Sequence, residues 1–276
     1  MKIIILVDNK AAEGLSCEHG FSMFIEADSH KILFDTGQLD SLQKNVDKLG
    51  IDLSCIDTLV LSHGHYDHTG GVVDVLSKSP NAQVFMNKTG FVDRYSIRKN
   101  IPKPINMHND AREVLQALDK DHLIDTPTPT MITENIGLTG YVPRKNNFED
   151  TGGPFYLDKE GLIDDLIEDD MAMWIKTDKG LVICVGCSHS GIINIINYII
   201  DITGETNIHT LIGGFHLVNA DDNRIKKTID SLKSFNIKHL IPCHCTGEKG
   251  IKTICDELSC SAVPGFAGFE HKIIEN

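Results

Sequence analysis

The chain has 276 residues, 41% apolar and 24% charged, which suits an ordinary globular protein with room for a substantial core. A formal net charge of −13 argues against nucleic acid as a partner, although lysines or metal cations can still draw a small anion into a pocket. No apolar run approaches the roughly 20 residues of a membrane span, and residues 1–8 lack an export signal's cleavage site, so a cytoplasmic location with free thiols is expected.

In chain order, strands are expected at 2–7, 21–27 and 31–34, then a helix at 39–48 and a strand at 58–61. A helix at 70–78 and a strand at 83–86 follow. From about 88 to 168 the pattern changes. Pro102, Pro104, Pro127, Pro129, Pro143 and Pro154 and weak periodicity read as an irregular lid, relieved by one helix at 110–119. Beyond it come strands at 171–176 and 181–185, a helix at 190–202, a strand at 208–213, a helix at 222–235 and a strand at 239–242. In the last helix Ile225, Ile229, Leu232 and Phe235 mark one apolar face. The candidate ligands described next flank the insertion and must converge. One domain over 1–276 with an embedded lid at 88–168 is therefore expected, rather than two tandem domains.

The segment Leu-Ser-His63-Gly-His65-Tyr-Asp67-His68-Thr-Gly70-Gly71 places three imidazoles and a carboxylate within six positions, directly after the apolar run Thr58-Leu-Val-Leu61. Neutral imidazole and ionised carboxylate are the ligands of zinc, iron and manganese. His63 and His65, two apart on an extended chain, face one way. Asp67 and His68 suit a second ion, and paired hydrolytic ions stand about 3.5–4 Å apart. Paired cysteines at 184/187 and 243/245 have unequal spacings, and Cys184 lies within a strand, which argues against a four-cysteine zinc site.

The His-x-His-x-Asp-His cluster at a strand end, before Gly-Gly, resembles the signature of the metallo-β-lactamase superfamily. That resemblance covers nearly the whole chain. It implies an α/β fold, a four-layer αββα sandwich with two central sheets, and two divalent ions, zinc first, with iron or manganese as alternatives. It further implies that Asp35, in Asp35-Thr-Gly after a strand, supports a ligand histidine; a turn aspartate is the plain alternative. His244, in Pro-Cys-His244-Cys-Thr-Gly, matches the family's last histidine ligand. The chain departs from the family where a bridging aspartate is usual. Cys187 stands there in Gly-Cys187-Ser-His189-Ser-Gly, so either Cys187 or His189 takes that role, and one-ion occupancy stays open. The usual histidine before that strand is absent. Asp170 lies there, in a Glu-Asp-Asp run that reads as a solvated acidic turn. His216, in Gly-Gly-Phe-His216-Leu, is a candidate for proton transfer or substrate contact, with a core histidine as the alternative. His239 reads as structural, and His19, His30, His108, His122, His209 and His271 read as surface or packing residues.

The Gly-Cys-Ser-His-Ser-Gly, Gly-Gly-Phe-His-Leu and Pro-Cys-His-Cys-Thr-Gly segments narrow the resemblance to a subgroup like the 7,8-dihydropterin-6-methyl-4-(β-D-ribofuranosyl)aminobenzene-5′-phosphate synthases. Members of that kind join a pterin-methyl diphosphate to an arylamine. The implied function is a metal-dependent enzyme acting on a phosphorylated or pterin-like anionic small molecule. Asp67 would serve as ligand and acceptor, and cations of the insertion (Lys88, Arg94, Arg98, Lys99, Arg144, Lys145) could neutralise phosphate. Hydrolysis of a small ester, phosphodiester or lactone is the second reading, and a non-catalytic metal-retaining sensor the third. A homo-oligomer is compatible with all three.

Overall fold

The computed structural model describes residues 1–258 and 261–274. The first half of the chain runs β1 (Lys2–Val7), β2 (Ser22–Ala27), β3 (His30–Phe34), α1 (Ser41–Leu49), β4 (Thr58–Val60), α2 (Tyr66–Thr69), α3 (Val72–Lys78) and β5 (Gln83–Met86). It continues through β6 (Tyr95–Arg98), β7 (Ile101–Pro104), α4 (Asn109–Ala117), β8 (Leu123–Asp125), β9 (Thr130–Met131), β10 (Ile136–Leu138) and β11 (Phe155–Tyr156). The remainder is β12 (Ala172–Thr177), β13 (Gly180–Val185), α5 (Ile192–Thr203), β14 (Asn207–Gly214), α6 (Asp222–Leu232), β15 (Asn236–Cys243), α7 (Gly247–Glu257) and β16 (Glu270–Lys272).

Among the described residues these strands form a seven-stranded sheet, β16-β1-β2-β3-β4-β5-β8, and a six-stranded sheet, β15-β14-β13-β12-β10-β9. The strands are apolar on both faces, as sheets covered on both sides require. Alternation sorts the two faces. Ile3, Ile5, Met23, Ile25, Ile32, Phe34, Val60 and Phe85 meet Met173, Ile175, Val182, Cys184, Ile212 and Ile241 between the sheets. Ile4, Leu6, Phe24, Leu33, Leu59 and Val84 face outward onto α1, α3 and α4. Leu181, Ile183, Leu211 and Leu240 face outward onto α5, α6 and α7. The layers are therefore helix, sheet, sheet, helix, the αββα sandwich expected. Each fully buried large aliphatic side chain contributes roughly 1.5–3 kcal/mol. Local signals set the helix ends: Asp221 accepts a hydrogen bond from the Arg224 N–H at the start of α6 (2.7 Å), and Gly50 closes α1 at φ 66°.

Residues 88–168, expected as an irregular lid, divide between core and cap. β8 extends the first sheet, β9 and β10 the second, and α4 packs on the first sheet's outer face. What stands over the site is a separate three-stranded antiparallel sheet, β11-β6-β7. Strands this short, without the compact apolar run that marks β4 and β5, carry too little pattern to be read from sequence. α7 and β16 were not expected either. α7 contains two glycines and buries only Gly250 and Ile254, so its apolar stripe is faint.

Candidate metal centre

In both sheets the chemistry-bearing residues follow the C-terminal ends of parallel strands. Asp35 follows β3, His63 and His65 follow β4, Cys187 and His189 follow β13, His216 follows β14 and His244 follows β15. Asp67 and His68 sit on the single turn of α2. Four non-glycine residues at these strand ends hold left-handed backbone: Asp35 (φ 59°), Ser188 (57°), His216 (45°) and His244 (50°). Each such conformation costs on the order of 1–3 kcal/mol, strain that the sheets hold in place and that gathers at functional sites. A Cβ on Gly64 would overlap the carbonyl oxygen of Gly90, so the His63–His65 turn needs glycine between its imidazoles.

The structure brings His63, His65, Asp67, His68, Cys187, His189, His216 and His244, with Asp35 behind His68, into one buried cluster, whereas the insertion's Lys88, Lys99 and Lys145 stay outside it. The ligand atoms of His63, Cys187 and His189 lie within 4.8 Å of one another, as do those of His68, Cys187 and His244, and of Cys187, His216 and Cys245. Cys187 is common to all three groups, and its Sγ stands 3.2 Å from His68 Nε2. His63 Nε2 and His65 Nδ1 are 3.0 Å apart, and Asp67 Oδ2 is 3.7 Å from His68 Nε2 and 3.6 Å from His244 Nε2.

The rear nitrogens are occupied. Asp35 Oδ2 receives the Ser62 hydroxyl and faces His68 Nδ1, each at 2.7 Å, while its Oδ1 accepts the Ser62 N–H. His189 Nδ1 contacts the Thr151 carbonyl (2.7 Å), and His244 Nδ1 contacts Asn9 Oδ1 (2.9 Å). The forward nitrogens are not. His189 Nε2, His244 Nε2 and His216 Nδ1 are buried with no hydrogen-bond partner among the described residues; so is His65 Nε2, although His65 meets His63 through Nδ1. Buried polar atoms rarely stay unpaired without cause. Imidazoles fixed from behind, with free nitrogens converging on a thiol and a carboxylate, fit divalent metal ions.

Electrostatics agree for His63, His65, His189 and His244. Burial, reinforced by neighbouring imidazoles, holds His63, His189 and His244 well below the ordinary histidine range; burial with the Arg94 charge does the same for His65. These rings are neutral, with lone pairs free for a cation. For His68 burial opposes the charge, but Asp35 and Asp67 outweigh it and raise the pKa to about 9.

Several expectations need correction. The run ending in Asp170 is no solvated turn. Asp169 accepts the Gly64 N–H (2.6 Å) and pairs with Arg94 (2.9 Å), and Asp170 accepts the Ser190 N–H (2.8 Å), both carboxylates being buried. They brace the two ligand loops. Arg94 is thereby consumed, and Arg144 donates to the carbonyls of Leu166 and His189, so neither is free for substrate. His19, set aside in the sequence, stands 3.2 Å from Asp67 Oδ2 and stacks on His244. Asp8 and Asn9, at the end of β1, were missed. Asp8 accepts the His244 N–H (2.7 Å), and burial raises its pKa to about 7. Their signal was positional, since they end a strand just as Asp35 does. Cys184 and Cys243 lie between the sheets, and all the described cysteines are free; Cys260 lies outside the described residues.

An αββα sandwich with histidines, a carboxylate and a thiol gathered at one sheet edge defines the metal-centre class of this fold. The family model of the metallo-β-lactamase superfamily matches residues 15–143. The chain is 37% identical over 254 residues to an uncharacterised protein of Methanocaldococcus jannaschii, covering 90% of this chain and 92% of the other. It is 31% identical over 250 residues, 87% and 85% of the two chains, to the 7,8-dihydropterin-6-methyl-4-(β-D-ribofuranosyl)-aminobenzene-5′-phosphate synthase of the same organism. A solved metal-dependent hydrolase of the β-lactamase superfamily matches with TM-score 0.83 at 29% identity, covering 99% of both chains. A metallo-β-lactamase-fold protein of Bacillus subtilis matches with TM-score 0.58 at 12% identity, covering 98% and 99%. The chain belongs to the metallo-β-lactamase superfamily.

Proposed function

We propose that this protein is a metal-dependent enzyme acting on a small phosphorylated or pterin-like anion, by transfer of a dihydropterin-methyl group to an aminobenzene ribofuranosyl phosphate. The observation that carries the metal reading is the pair of unpaired Nε2 atoms on His189 and His244, in groups that share Cys187, beside His63 Nε2 and His65 Nδ1 in close approach. His63, His65 and His189 would hold one ion, Asp67, His68 and His244 a second, with Cys187 between the two sets. Zinc suits this mixed nitrogen, oxygen and sulfur set, with iron or manganese as alternatives. When bound, the ions would supply Lewis-acid stabilisation of a diphosphate leaving group.

The similarity to the synthase supports the transfer reading. In that reaction the arylamine nitrogen forms a carbon–nitrogen bond while the methylene carbon's bond to diphosphate oxygen breaks, releasing pyrophosphate. His216, with Nδ1 unpaired, takes the amine proton, and Asp67 holds the nucleophile by accepting a hydrogen bond. Hydrolysis of a small ester, phosphodiester or lactone is the second reading, supported by the similarity to the solved hydrolase.

The test is an assay of metal-loaded protein with a pterin-methyl diphosphate, with and without the arylamine. Pyrophosphate release that needs the amine supports transfer; release without it supports hydrolysis. Bound metal with no turnover in either arm or on an ester panel would leave the sensor reading. His65→Ala should lose metal while keeping the far-UV spectrum, and full metal content in that variant would overturn the ligand assignment.

A further inference from the structure

The cavity over the metal centre, of about 710 Å³, is lined on one side by His65, Asp67, Cys187, His189 and His244. The other side is the β6–β7 hairpin. Ser96 and Arg98 of β6 and Ile101 and Lys103 of β7 line the cavity, whereas Tyr95, Ile97, Pro102 and Pro104 do not. That is the two-residue period of a strand. The pairing register confirms a shared face, with Ser96 opposite Lys103 and Arg98 opposite Ile101. Arg98 and Lys103 are therefore diagonal neighbours, with backbones about 7–8 Å apart, near enough for both long side chains to reach one group.

Among the described residues neither cation is held by an acid. Lys103 makes one long hydrogen bond, to Tyr66 Oη at 3.5 Å, and rests on that ring, its Nζ 5.2 Å from the ring centre. The one other acid on the lining besides Asp67 is Glu248, which pairs with Lys10 at 2.9 Å. Two cations on one wall of a cavity whose other wall carries the candidate metal ligands, in a chain of net charge −13, concentrate positive charge where a small anion could enter. β11 of the same small sheet adds an apolar wall. The Phe155 ring packs 5.6 Å from His65, 5.5 Å from His189 and 6.2 Å from His216.

We infer that the cavity face of the β6–β7 hairpin is an anion subsite, in which Arg98 and Lys103 together bind a phosphoryl group carried on an aromatic substrate whose reacting end lies at the metal centre. Phe155 and Tyr66 flank the aromatic part. This deepens the functional reading above and rests on it for the reacting end alone. Arg98 supplies a planar fork of donors to phosphoryl oxygens, and Lys103 supplies a second point charge.

The test uses the full-length cobalt-loaded protein, with phenylphosphonate and its uncharged diethyl ester as probes. Calorimetry reads total binding, and the visible cobalt spectrum reports the metal centre. In the Arg98→Ala/Lys103→Ala variant, phenylphosphonate binding should weaken about tenfold to a hundredfold. The cobalt spectrum of the unliganded variant and its binding of the neutral ester should stay as in the parent, and Arg98→Lys should retain part of the affinity. Unchanged phosphonate affinity would overturn the subsite, as would an equal loss for the neutral ester. Failure of the parent protein to bind cobalt would count against the metal reading instead, and calorimetry would still decide the subsite.

Discussion

Asp35 shows how one side chain organises the cluster. Its Oδ1 accepts the Ser62 backbone N–H, while its Oδ2 accepts the Ser62 hydroxyl and faces His68 Nδ1, all without exposure to solvent. An amide in its place must turn an N–H toward one of these donors. Asp35→Asn should therefore lower metal affinity about tenfold to a hundredfold, read by competition with a chelator; unchanged affinity would remove Asp35 from that role. Cys187 makes a sharper test, because it is common to all the ligand groups. Cys187→Ser should lose about one equivalent of metal, a serine hydroxyl being a poor anionic ligand, and Cys187→Asp should restore it. Full stoichiometry in the serine variant would place the ions on the histidines and Asp67 alone. At this scale the sequence was most legible where partners are neighbours, as within His63–His68. It was least legible where partners lie far apart in the chain. Asp8 meets His244 across 236 positions, and Asp169 meets Gly64 across 105. No spacing rule reaches that far.

At the scale of elements, the strands with a continuous apolar run declared themselves, short β4 and β5 included, whereas the other short strands and α7 did not. β16 has an unanticipated partnership. His271 on β16, at the edge of the first sheet, packs with His239 of β15 and His209 of β14 in the second, ring centres 5.1 and 6.1 Å away. Thr210 Oγ1 lies 2.9 Å from both His271 Nε2 and His209 Nδ1. Burial, then the neighbouring imidazoles of His239 and His209, lowers the pKa of His271 from 6.5 to about 4. The unfolded chain therefore binds this proton more readily than the folded one. Stability from the neutral ring is intact above pH 6.5 and is lost as pH falls from there through about 4. His271→Gln should flatten the pH dependence of urea-unfolding stability within that window. An equally steep fall in the variant would show that the ring is already protonated in the fold.

On the scale of the whole molecule, the site is a seam. His63 and His65, with Asp67 and His68 of α2, follow β4 of the first sheet, and Cys187, His189 and His244 come from loops of the second. Ions held by both sets would tie the two sheets together at the open end of the sandwich. Ligands that bind only the folded state stabilise it by about 3–4 kcal/mol when present at 100 to 1,000 times Kd. Removing metal by chelation should lower the melting midpoint by roughly 5–15 °C, reversibly on adding zinc. A midpoint indifferent to chelator and zinc would mean that the cluster holds no ion bridging the sheets.

The local pattern of this chain was enough to place the central strands, most helices, the superfamily and the core of the candidate ligand cluster. Each of these rests on spacing of two to four residues or on one compact motif. Only the tertiary structure decided that candidate ligands from both sheets gather around Cys187, that Asp8, Asn9, His19, Asp169 and Asp170 attend the site, and that the proline-rich segment splits into core strands and a cationic hairpin. Those features arise from contacts between strand ends brought together by two facing sheets, and closure of that sandwich leaves no periodic trace along the chain.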